Sequence, residues 1–311
     1  MNNLYFAPVQ GHTDAAYRGL HAEIYNVKDY DSQIAYFTPF IRLEHNSVRQ
    51  RDLKDLSSSL NSNCYLTPQI IFRDKNELKS LIEILKKERT KEIDLNMGCP
   101  FPLQTGHGRG AAAIANIELG KAIAEEIKNH PELSFSVKMR LGFVSPEEWI
   151  PLISTLNKIN LKHIAIHPRV AKQQYGGEID FEAFGKIVSE SSNPIVFNGD
   201  IKTPAEINDI KNKFPQIKGV MVGRGILARP SLFSEYLEGV EWDKSKRIEE
   251  MLRFHRRLYD YYSENLYGES QIISKIKPFW EYAENEIGRK AWKMIKKATN
   301  IAKYNSAVAS I

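Results

Sequence analysis

The chain contains the stretch Glu92-Ile93-Asp94-Leu95-Asn96-Met97-Gly98-Cys99-Pro100, whose first residues predict a hydrophobic β-strand and whose last residues predict a polar loop. Cys99 follows the strand directly, between a glycine and a proline that shape the loop. A second glycine-rich segment, Gly106-His107-Gly108-Arg109-Gly110, comes shortly after it. Polar, glycine-rich loops at the carboxyl ends of strands hold the reacting groups of α/β barrel enzymes. The stretch therefore favours a barrel enzyme with Cys99 near its reacting centre.

Similar apolar runs recur along the chain, separated by segments with helical periodicity such as Asn76–Glu88 and Asn116–Asn129. Eight strand–helix repeats are what a (β/α)8 TIM barrel requires. A doubly wound sheet is the alternative, but its glycine fingerprint after the first strand is missing. The predicted strands are Leu4–Val9, Gln33–Phe40, Tyr65–Phe72, Glu92–Met97, Ser134–Leu141, His163–Arg169, Pro194–Asp200 and Gly219–Gly223.

The pattern changes after Gly239, where strand signals stop. Three helices are predicted there, over Lys244–Asn265, Gln271–Glu286 and Arg289–Ala309. The sequence thus predicts two domains: a barrel over residues 1–238 and a small all-helical domain over residues 239–311.

Charge is distributed unevenly between these two parts. Residues 1–240 contain 29 Lys and Arg against 28 Asp and Glu, whereas residues 241–311 contain 14 against 10. After Glu286 there are six basic residues and no acidic one. Such a tail is either a phosphate-binding surface or a solvated helix face.

Composition argues against several classes of protein. No run of 18 apolar residues is present, which argues against a transmembrane helix. The first residues lack a basic region followed by an apolar one, so we expect a cytoplasmic protein. Cys64 and Cys99 are the two cysteines, with neither a Cys-x-x-Cys motif nor clustered histidines, so we expect no disulfide framework and no metal site.

Polar residues follow most of the predicted strands, at the end where barrel enzymes carry their active sites. Lys138 lies within a barrel strand, so its ammonium group needs an anionic partner. His167 alone could be an ordinary core histidine, but the strand ends taken together indicate a site. They carry Pro8, Val9, Gln10, Gln69, Asn96, Cys99, Lys138, Arg140, His167, Arg169, Asn198, Gly199, Asp200, Gly223 and Arg224.

The last two strand ends indicate the class of ligand. Loops after strands seven and eight of such barrels often bind phosphate through backbone N–H groups. Here these loops are Asn198-Gly199-Asp200 and Gly223-Arg224-Gly225. A phosphorylated cofactor anchored there would lay its ring near Gln69, Lys138 and His167. Lys138 would suit the N1–C2 carbonyl region of a flavin, where a cation stabilises the reduced ring.

Cys99 has three candidate roles. A nucleophile would need a depressed pKa and a nearby base, and no such arrangement is evident in the sequence. A buried spectator would be out of place on a Gly/Pro loop. An unperturbed thiol is mostly protonated at neutral pH, which suits a general acid, the role we favour.

Several of these motifs, in this order, resemble the tRNA-dihydrouridine synthase family. The most specific is Asp94-Leu95-Asn96-Met97-Gly98-Cys99-Pro100. The other matching motifs are Ala7-Pro8-Val9-Gln10-Gly11-His12-Thr13-Asp14 with Arg18, Val137-Lys138-Met139-Arg140-Leu141-Gly142, His167-Pro168-Arg169, Gln174-Tyr175-Gly176-Gly177, Asn198-Gly199-Asp200-Ile201 and Met221-Val222-Gly223-Arg224-Gly225.

The resemblance implies a tightly bound FMN that is reduced by NADPH. Hydride would pass to C6 of a uracil in tRNA or another structured RNA while Cys99 protonates C5, with Asn96, Arg140 and Arg169 near the substrate. The helical domain would bind tRNA through its basic tail, including Lys290, Lys293 and Lys297, without an obligate protein partner. The resemblance implies that FMN is held by Pro8, Val9, Gln10, Gln69, Lys138, His167, Asn198, Gly199, Asp200, Gly223 and Arg224.

The chain departs from the family pattern in places. Val170 stands where the family usually has a threonine, and Phe101-Pro102-Leu103 replaces more polar residues after the Cys-Pro pair. Two alternatives remain at this stage. One is another FMN-dependent barrel oxidoreductase acting on a small pyrimidine, and the other is an RNA-binding relative that has lost catalysis.

Overall fold

The structure, a computed structural model, describes residues 3–25 and 34–311. Within them, parallel strands form one curved sheet surrounded by helices, in the spatial order β5-β2-β1-β11-β10-β9-β8-β7-β6. This arrangement confirms the predicted TIM-barrel class. The strands of the sheet are β1 (Asn3–Phe6), β2 (Ile34–Phe37), β5 (Tyr65–Thr67), β6 (Gln69–Ile70), β7 (Glu92–Met97), β8 (Ser134–Gly142), β9 (Ile164–Val170), β10 (Ile195–Asn198) and β11 (Gly219–Val222), and a hairpin of β3 (Leu43–Glu44) and β4 (Ser47–Val48) lies apart from it.

The third predicted strand, Tyr65–Phe72, is split at Pro68 into β5 and β6. Proline has no N–H to donate to a neighbouring strand. β5 pairs with β2 and β6 pairs with β7, while the Pro68 carbonyl accepts a hydrogen bond from Asp94 N at 2.9 Å. The two pieces share one strand position, so the sheet has the eight positions that were predicted.

The other predicted strands are present with shifted ends, and Glu92–Met97 has its predicted bounds. Gln33, the first residue of the second prediction, lies outside the described residues. The helices between strands begin at side-chain caps in several cases, as where Asp74 accepts from Glu77 N and Asn116 from Leu119 N. The helices of the barrel part are α1 (Ala15–Tyr25), α2 (Gln50–Leu56), α3 (Lys75–Lys87), α4 (Pro102–Thr105), α5 (Ile117–Asn129), α6 (Trp149–Leu156), α7 (Phe181–Glu190), α8 (Pro204–Lys213), α9 (Arg224–Ala228) and α10 (Leu232–Glu238), with 3-10 helices at Ser59–Asn63, Gly110–Ala113 and Ala171–Gln173.

Two apolar clusters fill the barrel part. The larger lies between the strands and the surrounding helices. The smaller comprises Tyr5, Ala7, Ala35, Phe37, Ala165, Val196 and Met221. Because side chains alternate along a strand, these seven share the inner face of the sheet. Towards the carboxyl ends of the strands this inner face becomes polar.

The helical region begins as predicted with α11 (Lys244–Asn265), but the predictions Gln271–Glu286 and Arg289–Ala309 are wrong as continuous helices. Pro278 lies in a 3-10 helix that interrupts the first, and Ala298 is extended while Asn300 caps a new helix in the second. The observed elements are α12 (Glu269–Ile276), a 3-10 helix Lys277–Trp280, α13 (Glu284–Ile287), α14 (Arg289–Lys297) and α15 (Ile301–Val308).

The helical region packs directly on the barrel. Phe254 of α11 meets Tyr17 of α1 with ring centroids 4.9 Å apart, and both belong to the larger apolar cluster. The Tyr262 hydroxyl donates to the Asp14 carboxylate at 2.9 Å, and Lys275 Nζ lies 2.6 Å from the same carboxylate. Across residues 3–25 and 34–311, the helices lack the length and apolar character needed to cross a bilayer.

Candidate active site

A cavity of about 530 Å³ opens at the carboxyl ends of the barrel strands. Most residues predicted for the site line it, although they come from widely separated parts of the chain. They are Pro8, Val9, Gln10, Gln69, Asn96, Cys99, Lys138, Arg140, His167, Asn198, Gly199, Asp200, Gly223 and Arg224.

The thiol loop, residues 98–110, is held against the end of β7. Asn96 Oδ1 accepts hydrogen bonds from the backbone N–H groups of Gly98 (3.1 Å) and Cys99 (3.0 Å). Gly110 has a φ of +61°, and a Cβ there would lie 2.6 Å from the Cys99 carbonyl oxygen, so glycine is required. Cys99 is 9% exposed, and burial raises the pKa of its thiol. The geometry therefore holds Cys99 as a thiol rather than a thiolate.

Lys138 brings a positive charge to the middle of the cavity. Burial lowers the pKa of Lys138 to about 8, with a further lowering by Arg140 and opposing effects from Asp94 and Cys99. Among residues 3–25 and 34–311, no hydrogen bond or ion pair of Lys138 Nζ is seen, although its side chain lines the cavity. An anionic or electron-rich ligand would satisfy this ammonium group.

His167 is neutral, because burial and the neighbouring Arg140 and Lys138 hold its pKa well below the usual value. Arg169 lies 3.2 Å from His167 Nε2, and a guanidinium group can only donate. His167 Nε2 is therefore the acceptor and its proton is on Nδ1. Arg169 is buried and does not line the cavity, unlike its predicted place at the substrate. It also donates to Asp200, whose other carboxylate oxygen accepts from Arg224 at 2.8 Å.

The donor set fits a phosphorylated flavin. Lys138 and the His167 Nδ1–H offer donors to a polar ring, and Arg224 offers charge beside two glycines at the ends of β10 and β11. A Cβ on Gly199 would lie 2.6 Å from Ile179 Cδ1, so a larger residue there would displace the Ile179 side chain. A flat ring with carbonyl acceptors and an anionic tail suits this combination.

Aromatic side chains form a rim around the cavity that was not predicted from the sequence. Tyr175 is 42% exposed, with the guanidinium of Arg224 4.0 Å and that of Arg140 5.4 Å from its ring centroid. Phe101, 50% exposed, lines the cavity, as does Phe40. The signal in the sequence was weak: Tyr175 precedes two glycines, and Phe101 stands where the family is usually more polar.

The helical region completes one wall of the cavity with Glu281, Tyr282 and Asn285. His12 Nε2 lies 2.8 Å from Glu281 Oε2, and the His12 ring packs on Tyr282 with centroids 5.3 Å apart. These partners are about 270 positions apart in the chain, and no local motif connects them.

The three lysines predicted to meet RNA do not line the cavity. Lys290, Lys293 and Lys297 are exposed on α14, whose opposite side buries Ala291 and Ile295. Arg289 and Lys296 are exposed on the same helix. The structure therefore separates a basic outer surface from the cavity.

The comparison with known families decides the class of this protein: the family described as Dihydrouridine synthase (Dus) matches residues 5–308. The chain belongs to this family. It is 25% identical over 273 residues to the probable tRNA-dihydrouridine synthase of Rickettsia conorii, with 85% of this chain and 80% of the relative covered. It is 26% identical over 274 residues to tRNA-dihydrouridine synthase B of Shewanella oneidensis, with coverage of 85% and 82%.

Solved structures share the fold. Morphinone reductase in complex with tetrahydroNAD superimposes with a TM-score of 0.51 at 10% identity, covering 78% of this chain and 88% of that one. TcOYE with pHBA gives a TM-score of 0.53 at 7% identity, covering 78% and 90%. At such identities the likeness concerns the fold alone.

Family membership confirms the predicted enzyme class. Dihydrouridine is uridine with its C5–C6 bond reduced, so a dihydrouridine synthase is an oxidoreductase. This chain is accordingly an oxidoreductase.

Proposed function

We propose that this protein reduces the C5–C6 bond of a specific uridine in tRNA, with a tightly bound FMN and with NADPH as the reductant. The observation that carries the proposal is the Cys99 thiol, kept protonated at a cavity that also contains the cationic Lys138. A reduction across a polarised double bond needs a proton donor beside the hydride donor.

The cavity-lining residues would hold FMN. Lys138 and the Nδ1–H of His167 would donate to the ring, and Gln69 would offer its amide. Arg224 would meet the phosphate, beside the backbone at Gly199 and Gly223. FMN bound there and reduced by NADPH would be the source of the hydride that C6 of the uracil receives. The full set proposed for FMN is Pro8, Val9, Gln10, Gln69, Lys138, His167, Asn198, Gly199, Asp200, Gly223 and Arg224.

Cys99 would give its Sγ proton to C5 of the uracil. The thiolate left behind is stabilised by the positive charges of Lys138 and Arg140 and regains a proton from solvent. Asn96 fixes the thiol loop, and Arg140 lies at the cavity where the base would enter. Each turnover thus adds one hydride and one proton to the base.

The substrate must enter from outside the barrel, so the target uridine would leave its stack and extend into the cavity. We propose that residues 239–311 form an RNA-binding domain on the FMN-binding barrel of residues 1–238, with Lys290, Lys293 and Lys297 contacting phosphates. Arg169 would act behind the substrate, by orienting His167. We further propose that the protein works in the cytoplasm without an obligate protein partner.

Complementation tests the function. A strain lacking its own copy of this gene receives the wild-type gene, Cys99→Ala or Cys64→Ala, and dihydrouridine in its tRNA is measured by mass spectrometry. We expect wild type and Cys64→Ala to restore one dihydrouridine position. Cys99→Ala should lower the rate of uridine reduction at that position by about 10²–10⁴-fold, as expected for the loss of a general acid. Cys64 is the matched control because it is a thiol outside the cavity.

Two outcomes would overturn the proposal. The first is tRNA dihydrouridine that is identical with and without the gene. The second is purified enzyme that reduces free uridine as efficiently as tRNA, which would favour a small-pyrimidine reductase.

A further inference from the structure

A chain of hydrogen-bonded side chains leads from the barrel interior to the thiol loop. Ser136 Oγ donates to Asp94 Oδ1 at 2.5 Å, and Gln69 Nε2 donates to Asp94 Oδ2 at 2.7 Å. Gln69 Oε1 in turn accepts from Asn96 Nδ2 at 2.7 Å. Asn96 Oδ1 then accepts the backbone N–H groups of Gly98 and Cys99. All four side chains are buried.

The hydrogen bonds along this series of side chains all run in one fixed direction from donor to acceptor. An ionised carboxylate only accepts, so Asp94 turns the Gln69 amide nitrogen towards itself. The Gln69 oxygen must then face Asn96, which turns the Asn96 nitrogen towards Gln69 and the Asn96 oxygen towards the loop. Backbone N–H groups only donate, so the loop end requires the same orientation. Asp94 at one end and the loop N–H groups at the other therefore require the same orientation of the Gln69 and Asn96 amides, although each amide alone could be reversed.

Asp94 does not line the cavity, whereas Gln69 and Asn96 do. It lies two positions before Asn96 on β7, so both side chains occupy the inner face of the sheet. A fully buried carboxylate is costly unless it is hydrogen-bonded, and Asp94 receives hydrogen bonds from Ser136 and Gln69. Because this carboxylate only accepts hydrogen bonds, it fixes the orientation of the Gln69 and Asn96 amides that follow it.

We propose that Asp94 is a positioning residue that fixes the Cys99 loop by setting the direction of the Gln69 and Asn96 amides. The inference deepens the proposed function, since it explains how the proton donor is held in place. An amide at position 94 presents either an oxygen or a nitrogen to Gln69. In the second case the Asn96 nitrogen turns towards the N–H groups of Gly98 and Cys99, and the loop loses its acceptor.

A swap of acceptor and donor tests this direction. In Asp94→Asn the chain can reverse. In the double variant Asp94→Asn with Gln69→Glu, the new carboxylate at position 69 accepts from both neighbouring amides, and the Asn96 oxygen again faces the loop. Ser136→Ala is the matched control, because it removes a hydrogen bond from Asp94 without reversing any amide.

The readout is the rate at which iodoacetamide alkylates Cys99, in a Cys64→Ala background and with saturating FMN. We expect Asp94→Asn to raise this rate by more than about twofold, because part of the protein adopts the reversed arrangement, in which the loop lacks its buried acceptor and opens more often. We expect Ser136→Ala to stay within about twofold of the parent protein, and the double variant to lie closer to the parent protein than Asp94→Asn does.

The inference would be overturned if Cys99 in Ser136→Ala were alkylated as fast as in Asp94→Asn. It would also be overturned if the double variant were alkylated as fast as Asp94→Asn. If Asp94→Asn does not fold, a folded double variant supports the inference, and failure of both to fold overturns it. The alkylation assay contains no RNA, so it tests the role of Asp94 separately from the proposed function. The proposed function would be overturned instead by a wild-type protein that forms no dihydrouridine.

Discussion

Lys138 illustrates how one residue connects the barrel core with the chemistry at its mouth. Its position on β8, opposite Asn96 in the strand register, points it into the barrel, where water cannot fully solvate an ammonium group. Burial therefore lowers the pKa of Lys138 to about 8. A ligand that offers an acceptor or a negative charge would raise this pKa again, so binding of the ligand and of a proton are linked.

FMN affinity should accordingly depend on pH through Lys138. The protonated form binds better, so affinity is full below about pH 8 and falls above it, by at most about tenfold per pH unit. Titration of FMN fluorescence between pH 7.5 and 9.5 measures this slope. In Lys138→Met the affinity for FMN should be lower, and it should no longer change with pH over this range. A wild-type protein with constant affinity over this range would contradict the assignment.

At the scale of an element, α14 is a short helix with one buried and one basic side. Lys290, Lys293 and Lys297 recur at intervals of three and four residues, which places them on one exposed face. The break at Ala298 ends this helix before α15 begins. The basic face is therefore confined to little more than two turns.

Changing these three lysines to glutamine should weaken tRNA binding and reduce its salt dependence. If each contacts one phosphate, the slope of log affinity against log salt should fall by about 0.9 for each lysine. Binding measured at several salt concentrations provides both numbers. Lys79, Lys121 and Lys128 are exposed on α3 and α5, and their triple glutamine variant should bind like wild type. Equal effects of the two triple variants would exclude a specific role for α14.

Across the whole molecule, the helical region and the barrel share one apolar core and a set of polar contacts. Asp14 accepts from the buried Tyr262 hydroxyl and pairs with Lys275, while Arg257 contacts Glu23 at 2.6 Å. Because Glu281 and Tyr282 line the cavity, correct docking of the helices also shapes the site.

Tyr262→Phe should lower the free energy of unfolding by about 1.5–3 kcal/mol, since it removes a buried hydrogen bond to a carboxylate. Urea denaturation followed by circular dichroism measures the change. Tyr261→Phe is the control, and it should remain within about 0.5 kcal/mol because Tyr261 is less buried and lies beside the same interface. Equal losses in both variants would show that the Asp14 contact does not hold the two parts together.

Much of the barrel could be predicted because each of its strands is covered on both sides and reads as an apolar run ending in polar residues. Many cavity-lining residues could be predicted because they lie at the carboxyl ends of those strands. Arg169 was harder, since alternation along β9 places it on the same face as His167 but does not distinguish the cavity wall from the layer behind it. The contact between His12 and Glu281 has no local signature at all, and it depends on how the helices dock.

The wall that Glu281, Tyr282 and Asn285 contribute constrains how this enzyme can change in evolution. A chimaera that carried the helical region of a relative would acquire a different version of the proposed RNA-binding surface and, at the same time, a different wall for the cavity. Such an exchange would succeed only if the barrel positions that receive the helices, His12, Asp14 and Glu23 among them, were exchanged as well. If the helical region binds the RNA as proposed, the choice of the uridine and the shape of the cavity are therefore inherited together.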